Sequence, residues 1–164
     1  MIVGVKRVRI PQKDVLANLL EKYEYELSQY DKRPFNAQGL FNYEYLNSYF
    51  IDENRYAYFI YSNGNLAGFA LINKIPECAQ PCDWSVAEFF IAYPYRRKRI
   101  ATRAMVEIFR HHVGAWHIKY NNKNVAGVNF WNNIAQAVAK NKVEVFRTKD
   151  FYDNSLGKVL MFET

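Results

Sequence analysis

The sequence predicts an α/β fold of the α+β type, with about seven strands and about four helices in a single domain over residues 1–164. Three observations predict it. Asn63-Gly64 separates two β-rich runs, Arg55 to Tyr61 and Leu66 to Ile72, and that dipeptide between strands is a hairpin signal. The run from Trp84 to Ala92 is apolar on both faces apart from Ser85 and Glu88, as a central strand covered on both sides requires. Directly after it, Ile100, Ala104, Met105, Ile108 and Phe109 recur as they do on an amphipathic helix.

The elements follow in order. Val3, Val5, Val8 and Ile10 make an apolar-rich strand that ends at Pro11. A helix follows, because proline is tolerated in a first turn. Val15, Leu16, Leu19, Leu20, Tyr23 and Leu27 give it one apolar stripe. The aromatic stretch from Phe35 to Phe50 is weakly periodic and reads as a short second helix with loops. The hairpin comes next, then a loop from Lys74 to Asp83, then the central strand and its helix, which Gly114 stops. Trp116, Ile118 and Tyr120 alternate as a short strand. Asn121 to Asn124 supplies capping side chains for a helix through Val125, Phe130, Trp131 and Ile134. Two strands close the chain, around Val143 to Thr148 and Lys158 to Phe162. The order is β-α-α-β-β-β-α-β-α-β-β.

Composition narrows the function classes. No apolar run approaches the ~20 residues of a membrane helix, and the basic, alternating start lacks the apolar core of a signal peptide. The expected location is the cytoplasm, with no membrane partner. Cys78 and Cys82 read as free thiols there. No metal is expected, because His111, His112 and His117 are not spaced with them as a ligand set. The net charge of +6 favours an anionic partner, and five basic residues fall between Arg96 and Arg103.

That cluster carries the chemistry. In Glu88-Phe-Phe-Ile-Ala-Tyr-Pro-Tyr-Arg-Arg-Lys-Arg-Ile-Ala-Thr, a buried strand runs into a basic turn, and the turn opens a helix. Helix N-termini present unpaired N–H groups and a partial positive charge, so they bind phosphates. Cations stacked there are unfavourable by ~0.3–1 kcal/mol each and invite an anion. The alternative is a solvated basic turn without a ligand.

Arg96-x-x-Arg99-x-Ala101 resembles the acyl-CoA pyrophosphate motif of the GNAT superfamily of N-acetyltransferases, Gln/Arg-x-x-Gly-x-Gly/Ala. The hairpin with Gly64 and Gly68 is similar to the second and third strands of that fold, and Trp116-His-Ile, Asn124 and Phe130-Trp131 to the elements flanking the pantetheine arm. The resemblance covers nearly the whole chain and is strongest from Asn63 to Ile134. It implies a mixed, mostly antiparallel central sheet and acetyl-CoA as co-substrate. It further implies that the backbone of Ile91 and Tyr93 pairs with the pantetheine amides like an added strand. The turn of Arg96, Arg97, Lys98, Arg99, Ile100, Ala101 and Thr102 would cradle the pyrophosphate. Asn124 would contact the pantetheine arm, and Phe130 would pack beside it. Two residues depart from the family pattern. Arg99 stands where the family has glycine, and Trp131 stands where many members carry a tyrosine that protonates the leaving thiolate.

The implied reaction is direct attack of a primary amine on the thioester. Glu88 is the expected general base, as the only acid within the central strand, and burial would raise its pKa. An outward-facing or ion-paired glutamate is the alternative. Tyr95 and Tyr120 are further hydroxyls near the slot. His117, out of phase with Trp116 and Ile118, is expected to face solvent. Phe35, Phe41, Tyr43, Tyr45, Tyr49 and Phe50 are candidates for the acceptor pocket or for core, and Glu44, Asp52 and Glu53 for recognition of a cationic amine or for surface. The expected partner is a small-molecule or peptide amine, and dimers are common in families of this kind. Two other readings stay open, namely a CoA-binding regulatory domain without catalysis and a basic nucleic-acid-binding module.

Overall fold

The structure is a computed structural model that describes residues 1–149 and 156–164. Seven strands form one sheet: β1 (Val3–Arg7), β2 (Arg55–Ser62), β3 (Asn65–Asn73), β4 (Trp84–Ile91), β5 (Ala115–Tyr120), β6 (Glu144–Lys149) and β7 (Leu156–Glu163). Their spatial order is β1-β2-β3-β4-β5-β7-β6. Every neighbouring pair is antiparallel except β4 and β5. The helices are α1 (Lys13–Asp31), α2 (Ser48–Ile51), α3 (Ile100–His111) and α4 (Val125–Val138). Element order and sheet type therefore agree with the sequence reading.

Two apolar layers sandwich the sheet. On one face Ile100, Met105 and Ile108 of α3, with Trp131 and Ile134 of α4, pack on Ile60, Ile72, Trp116 and Leu160. On the other, Leu16 and Leu20 of α1 and Tyr49 of α2 pack on Phe59, Phe69 and Leu71. No helix among the described residues is long and apolar enough to cross a membrane.

Local chemistry explains the turns. Asn63 and Gly64 both take positive φ, 49° and 83°, the backbone that a two-residue hairpin of right-twisted strands demands. Gly68 allows β3 to approach β4, since a Cβ there would lie 2.0 Å from the Phe90 carbonyl oxygen.

Two expectations need correction. Ile10 does not extend the first strand; Ile10–Gln12 is a 3₁₀ turn, because Pro11 fixes φ and cannot donate to a ladder. The aromatic stretch from Phe35 keeps to its expectation, with α2 as a short helix after loops. His117 is fully buried, not solvated. The loop before β4 folds over it, so the Glu77 N–H donates to its Nδ1 at 3.1 Å.

Candidate active site

The site is built where β4 and β5 part. They pair only at Trp84↔Trp116, Ser85↔His117 and Val86↔Ile118. Beyond that, β4 follows β3 as far as the Gly68↔Ile91 pair, and β5 follows β7 as far as Tyr120↔Lys158. The two leave a wedge. A pocket of about 590 Å³ occupies it, lined by Glu88 and Phe89 of β4, Lys119 and Tyr120 of β5, Trp131 of α4 and Tyr23 of α1.

A bulge aims Glu88. Leu71 pairs with Glu88 and Ile72 with Val86, so Ala87 is an extra residue on β4. Ala87 packs with the α1-side layer. Glu88 turns to that same face, where Tyr23 Oη donates to its carboxylate at 2.6 Å and Tyr43 Oη at 3.2 Å. Its pKa is raised to about 7. Burial is the main cause; the carboxylates of Glu24 and Glu77 add to it, and the two tyrosine donors oppose it. Tyr43 itself is pushed far above the ordinary tyrosine range by burial and by the negative charge of Glu88, so it stays protonated as a donor. A half-buried carboxyl near neutrality, in a pocket, is equipped to take a proton and return it.

At the other end of β4 the chain makes a 3₁₀ turn, Tyr93–Tyr95, and then the basic turn. Arg96 points back toward α1. Its Nη1 and Nη2 donate to the Glu26 carboxylate at 2.7 and 2.6 Å, and its Nε donates to the Ile91 carbonyl at 2.6 Å. The Tyr93 carbonyl accepts the Arg96 N–H. Arg96 therefore braces the end of β4, and two carbonyls expected at the pantetheine arm already have partners. Arg97, Lys98, Arg99 and Thr102 are exposed at the start of α3, and Lys98 Nζ donates to the Pro94 carbonyl at 2.8 Å.

Arg99 is the N-cap of α3 and takes φ 58°, the left-handed conformation that glycine adopts freely. Arg97 also sits at φ 58°. The backbone shape that the glycine pattern encodes is thus kept with arginine in its place. No side chain caps this terminus, which leaves first-turn N–H groups, those of Ile100, Ala101 and Thr102, without a capping side chain. Ile100 is buried and anchors the turn, so only its backbone can serve a ligand. The turn suits a pyrophosphate.

The far wall comes from α4. Asn124 is its N-cap and accepts the Gly127 N–H at 3.0 Å, so its carboxamide fixes the helix start beside the pocket. Phe130 stacks on Phe89 at 5.6 Å and 11°, and Trp131 meets Phe89 edge-on at 5.2 Å. Of the acceptor-pocket candidates, Tyr43, Glu44 and Tyr45 line the pocket. Tyr49 is core, and Phe35 lies along a separate groove. Asp52, paired with Arg55, is not a lining residue. Cys78 and Cys82 are free, and no group of metal-binding side chains exists among the described residues. The sequence reading missed Tyr23 as a partner of Glu88. It lies on the apolar stripe of α1, where a tyrosine bonded to a distant carboxylate looks like any core tyrosine.

The model of the GNAT acetyltransferase family matches residues 16–142. No curated protein matches the sequence. Solved structures share the fold. An acetyltransferase from Thermus thermophilus has a TM-score of 0.67 at 12% identity, over 100% of this chain and 98% of that one. The ribosomal-protein-S18-alanine N-acetyltransferase from Escherichia coli gives 0.63 at 9%, over 99% and 94%. The paia N-acetyltransferase from Thermoplasma acidophilum, solved in complex with coenzyme A, gives 0.60 at 12%, over the full length of both. Such identities establish the fold alone, whereas the family match rests on the sequence of most of the chain. The splayed β4 and β5 and the uncapped start of α3 therefore belong to a member of the GNAT acetyltransferase family, an enzyme that takes its acetyl group from acetyl-CoA.

Proposed function

We propose that the enzyme moves the acetyl group of acetyl-CoA to a primary amine by direct attack, with Glu88 as general base. The observation that carries this reading is the Glu88 carboxyl in the wedge, with its pKa raised to about 7. The amine nitrogen bonds to the thioester carbonyl carbon and gives a proton to Glu88, and the carbon–sulfur bond breaks. The pyrophosphate lies against the first-turn N–H groups of Ile100, Ala101 and Thr102, with Arg97, Lys98 and Arg99 as outer cations. The pantetheine arm runs along Ile91 and Tyr93 and is covered by Phe130 and the capped start of α4 at Asn124. Arg96 acts by bracing β4 against α1.

The acceptor is a small-molecule or peptide amine that enters between the α1–α2 connection and β5. Exposed Glu44 at the pocket's edge supports a cationic acceptor. Calorimetric titration with acetyl-CoA, with inorganic pyrophosphate as the charge control, tests the donor site. One-to-one binding well tighter than pyrophosphate, followed by turnover on an amine panel, is the expected result. Binding no better than pyrophosphate overturns it. Trp131, which has no acidic hydroxyl, favours a second reading as a CoA-binding domain without turnover. The same amine panel decides between the two.

A further inference from the structure

The departing sulfur leaves with an electron pair, and a proton delivered to it lowers the barrier. The group that delivers it must line the wedge and carry an acidic hydrogen. Trp131 lines the wedge but carries none. Tyr23 and Tyr43 line it, yet their hydroxyls donate to Glu88. Tyr45 is 46% exposed on the acceptor side.

Tyr120 differs from these. It is the last residue of β5, is 7% exposed, and shares the pocket wall with Asn124, Gly127 and Trp131. Asn132, one residue beyond Trp131 on α4, anchors its Nδ2 on the Val128 carbonyl at 2.8 Å and also donates from it to Tyr120 Oη at 3.2 Å. The Tyr120 oxygen is therefore an acceptor in that bond. Its own hydrogen has no acceptor among the described residues and is free to turn toward the wedge. Asn132 has only donors on that nitrogen, so the polarity of the pair is fixed once its carboxamide is held by the helix carbonyl.

We propose that Tyr120 is the general acid of this enzyme, giving its phenolic proton to the CoA sulfur from β5, beside the α4 position that Trp131 fills. This rests on the proposed reaction in the same wedge. The steps balance. The nitrogen–carbon bond forms as the carbon–sulfur bond breaks; the sulfur takes the Tyr120 proton, and Glu88 takes the amine proton. The phenolate and the protonated Glu88 then return to their starting states through solvent. Asn132 is a positioning residue, because it acts through Tyr120.

The test follows thiol release from acetyl-CoA with hydroxylamine as a small generic acceptor. It is repeated with an acetyl thioester of an aromatic thiol, whose thiolate leaves without a proton. Tyr120→Phe is expected to lower kcat with acetyl-CoA about 100-fold, the lower end of acid–base effects, with KM for acetyl-CoA within about twofold. With the aromatic thioester its loss should shrink to a few-fold. Glu88→Gln should lose activity toward both donors. Asn132→Leu should show a smaller loss than Tyr120→Phe with the same dependence on the leaving group. An unchanged kcat in Tyr120→Phe, or an equal loss with both donors, overturns the assignment and leaves the reaction standing. Absence of thiol release from the wild-type chain overturns the reaction and the assignment together. A Tyr120→Phe chain that no longer binds acetyl-CoA by calorimetry assigns Tyr120 to structure and also overturns it.

Discussion

Tyr23 Oη lies 2.6 Å from the Glu88 carboxylate, joining the middle of α1 to the bulge of β4 across 65 residues of sequence. The contact gives Glu88 one strong donor in a place where burial otherwise disfavours its charge. In the proposed reaction Glu88 acts in its carboxylate form. The rate should therefore rise with pH through a midpoint near the Glu88 value of about 7. Tyr23→Phe removes a group that stabilises the charge, so the midpoint should move to higher pH. Glu88→Gln should cost about 10²-fold or more in kcat/KM and abolish that limb. A pH profile of kcat/KM for the three proteins checks both statements, and a midpoint that Tyr23→Phe leaves in place contradicts them.

The same raised pKa makes Glu88 a liability for folding at neutral pH. Its ordinary value is 4.5 and its folded value about 7. Below 4.5 both states hold the proton, so nothing is lost. Between those values the unfolded chain releases a proton that the folded chain keeps, and stability falls as pH rises. Above about 7 the loss is complete, on the order of 3 kcal/mol at most. Glu88→Gln should therefore raise Tm relative to wild type at pH 8 and by much less at pH 5. Thermal melts at the two pH values measure it.

Arg99 holds a left-handed backbone at the N-cap of α3, and its side chain makes no capping hydrogen bond. Arg99→Gly removes that strain, and it clears the approach to the helix N–H groups. Acetyl-CoA affinity should hold or improve, and stability should change by less than about 1 kcal/mol, because glycine also loosens the unfolded chain. Arg97→Glu with Lys98→Glu should weaken acetyl-CoA by at least tenfold, with a smaller difference at high salt. Calorimetry on the two variants reads the contrast. No effect from either removes the basis for a pyrophosphate site at this turn.

Much of this was legible in the sequence because it depends on near neighbours. Asn63-Gly64 dictates its own turn, the apolar run of β4 announces a covered strand, and Asn124 caps the helix it precedes. The basic turn was legible as charge, but not the division of labour within it. Arg96 is bound to Glu26, 70 residues away, and no local pattern encodes that pairing. Tyr43 meets Glu88 across 45 residues for the same reason. His117 was misplaced because strand alternation tells which face a residue occupies, not whether a loop will cover that face.

The brace between Arg96 and Glu26 is measurable. Arg96 holds two elements together through a forked bond and one further bond to the Ile91 carbonyl. Arg96→Lys keeps the charge and loses the fork, so it should cost about 1–2 kcal/mol in urea denaturation. Glu26→Gln should cost less. The pair is partly exposed, and the coupling from a double-mutant cycle should be near ~1 kcal/mol. A coupling of zero would show that Arg96 does not brace α1 through this contact.

Gly68 tests how closely β3 and β4 must approach. Alanine there would place its Cβ 2.0 Å from the Phe90 carbonyl oxygen, a backbone atom that cannot swing aside. Gly68→Ala should cost more than about 2 kcal/mol and weaken acetyl-CoA binding, because the end of β4 must shift to admit the methyl group. Gly4→Ala, on the edge strand β1 with nothing near its Cβ, is the matched control and should be tolerated. Equal melting temperatures for the two variants would contradict the close approach.

His112 predicts an acid limit to stability. It is 5% exposed, bonded to Tyr58 Oη at 2.7 Å and packed against Trp84 at 4.3 Å between ring centres. Burial is the main cause, and the neighbouring His111, Arg7 and Lys74 add to it, lowering its pKa from 6.5 to about 4. Above 6.5 it is neutral in both states and costs nothing. Between about 6.5 and 4 the unfolded chain takes up a proton that the folded chain refuses, so stability falls as pH falls. The loss reaches roughly 3 kcal/mol near pH 4. His112→Gln keeps a polar group beside Tyr58 and cannot charge. It should be less stable than wild type at pH 8, and the gap should narrow as the pH is lowered to 5. Urea denaturation at pH 8, 6 and 5 follows the gap, and a gap that stays constant would show that His112 does not set the acid sensitivity.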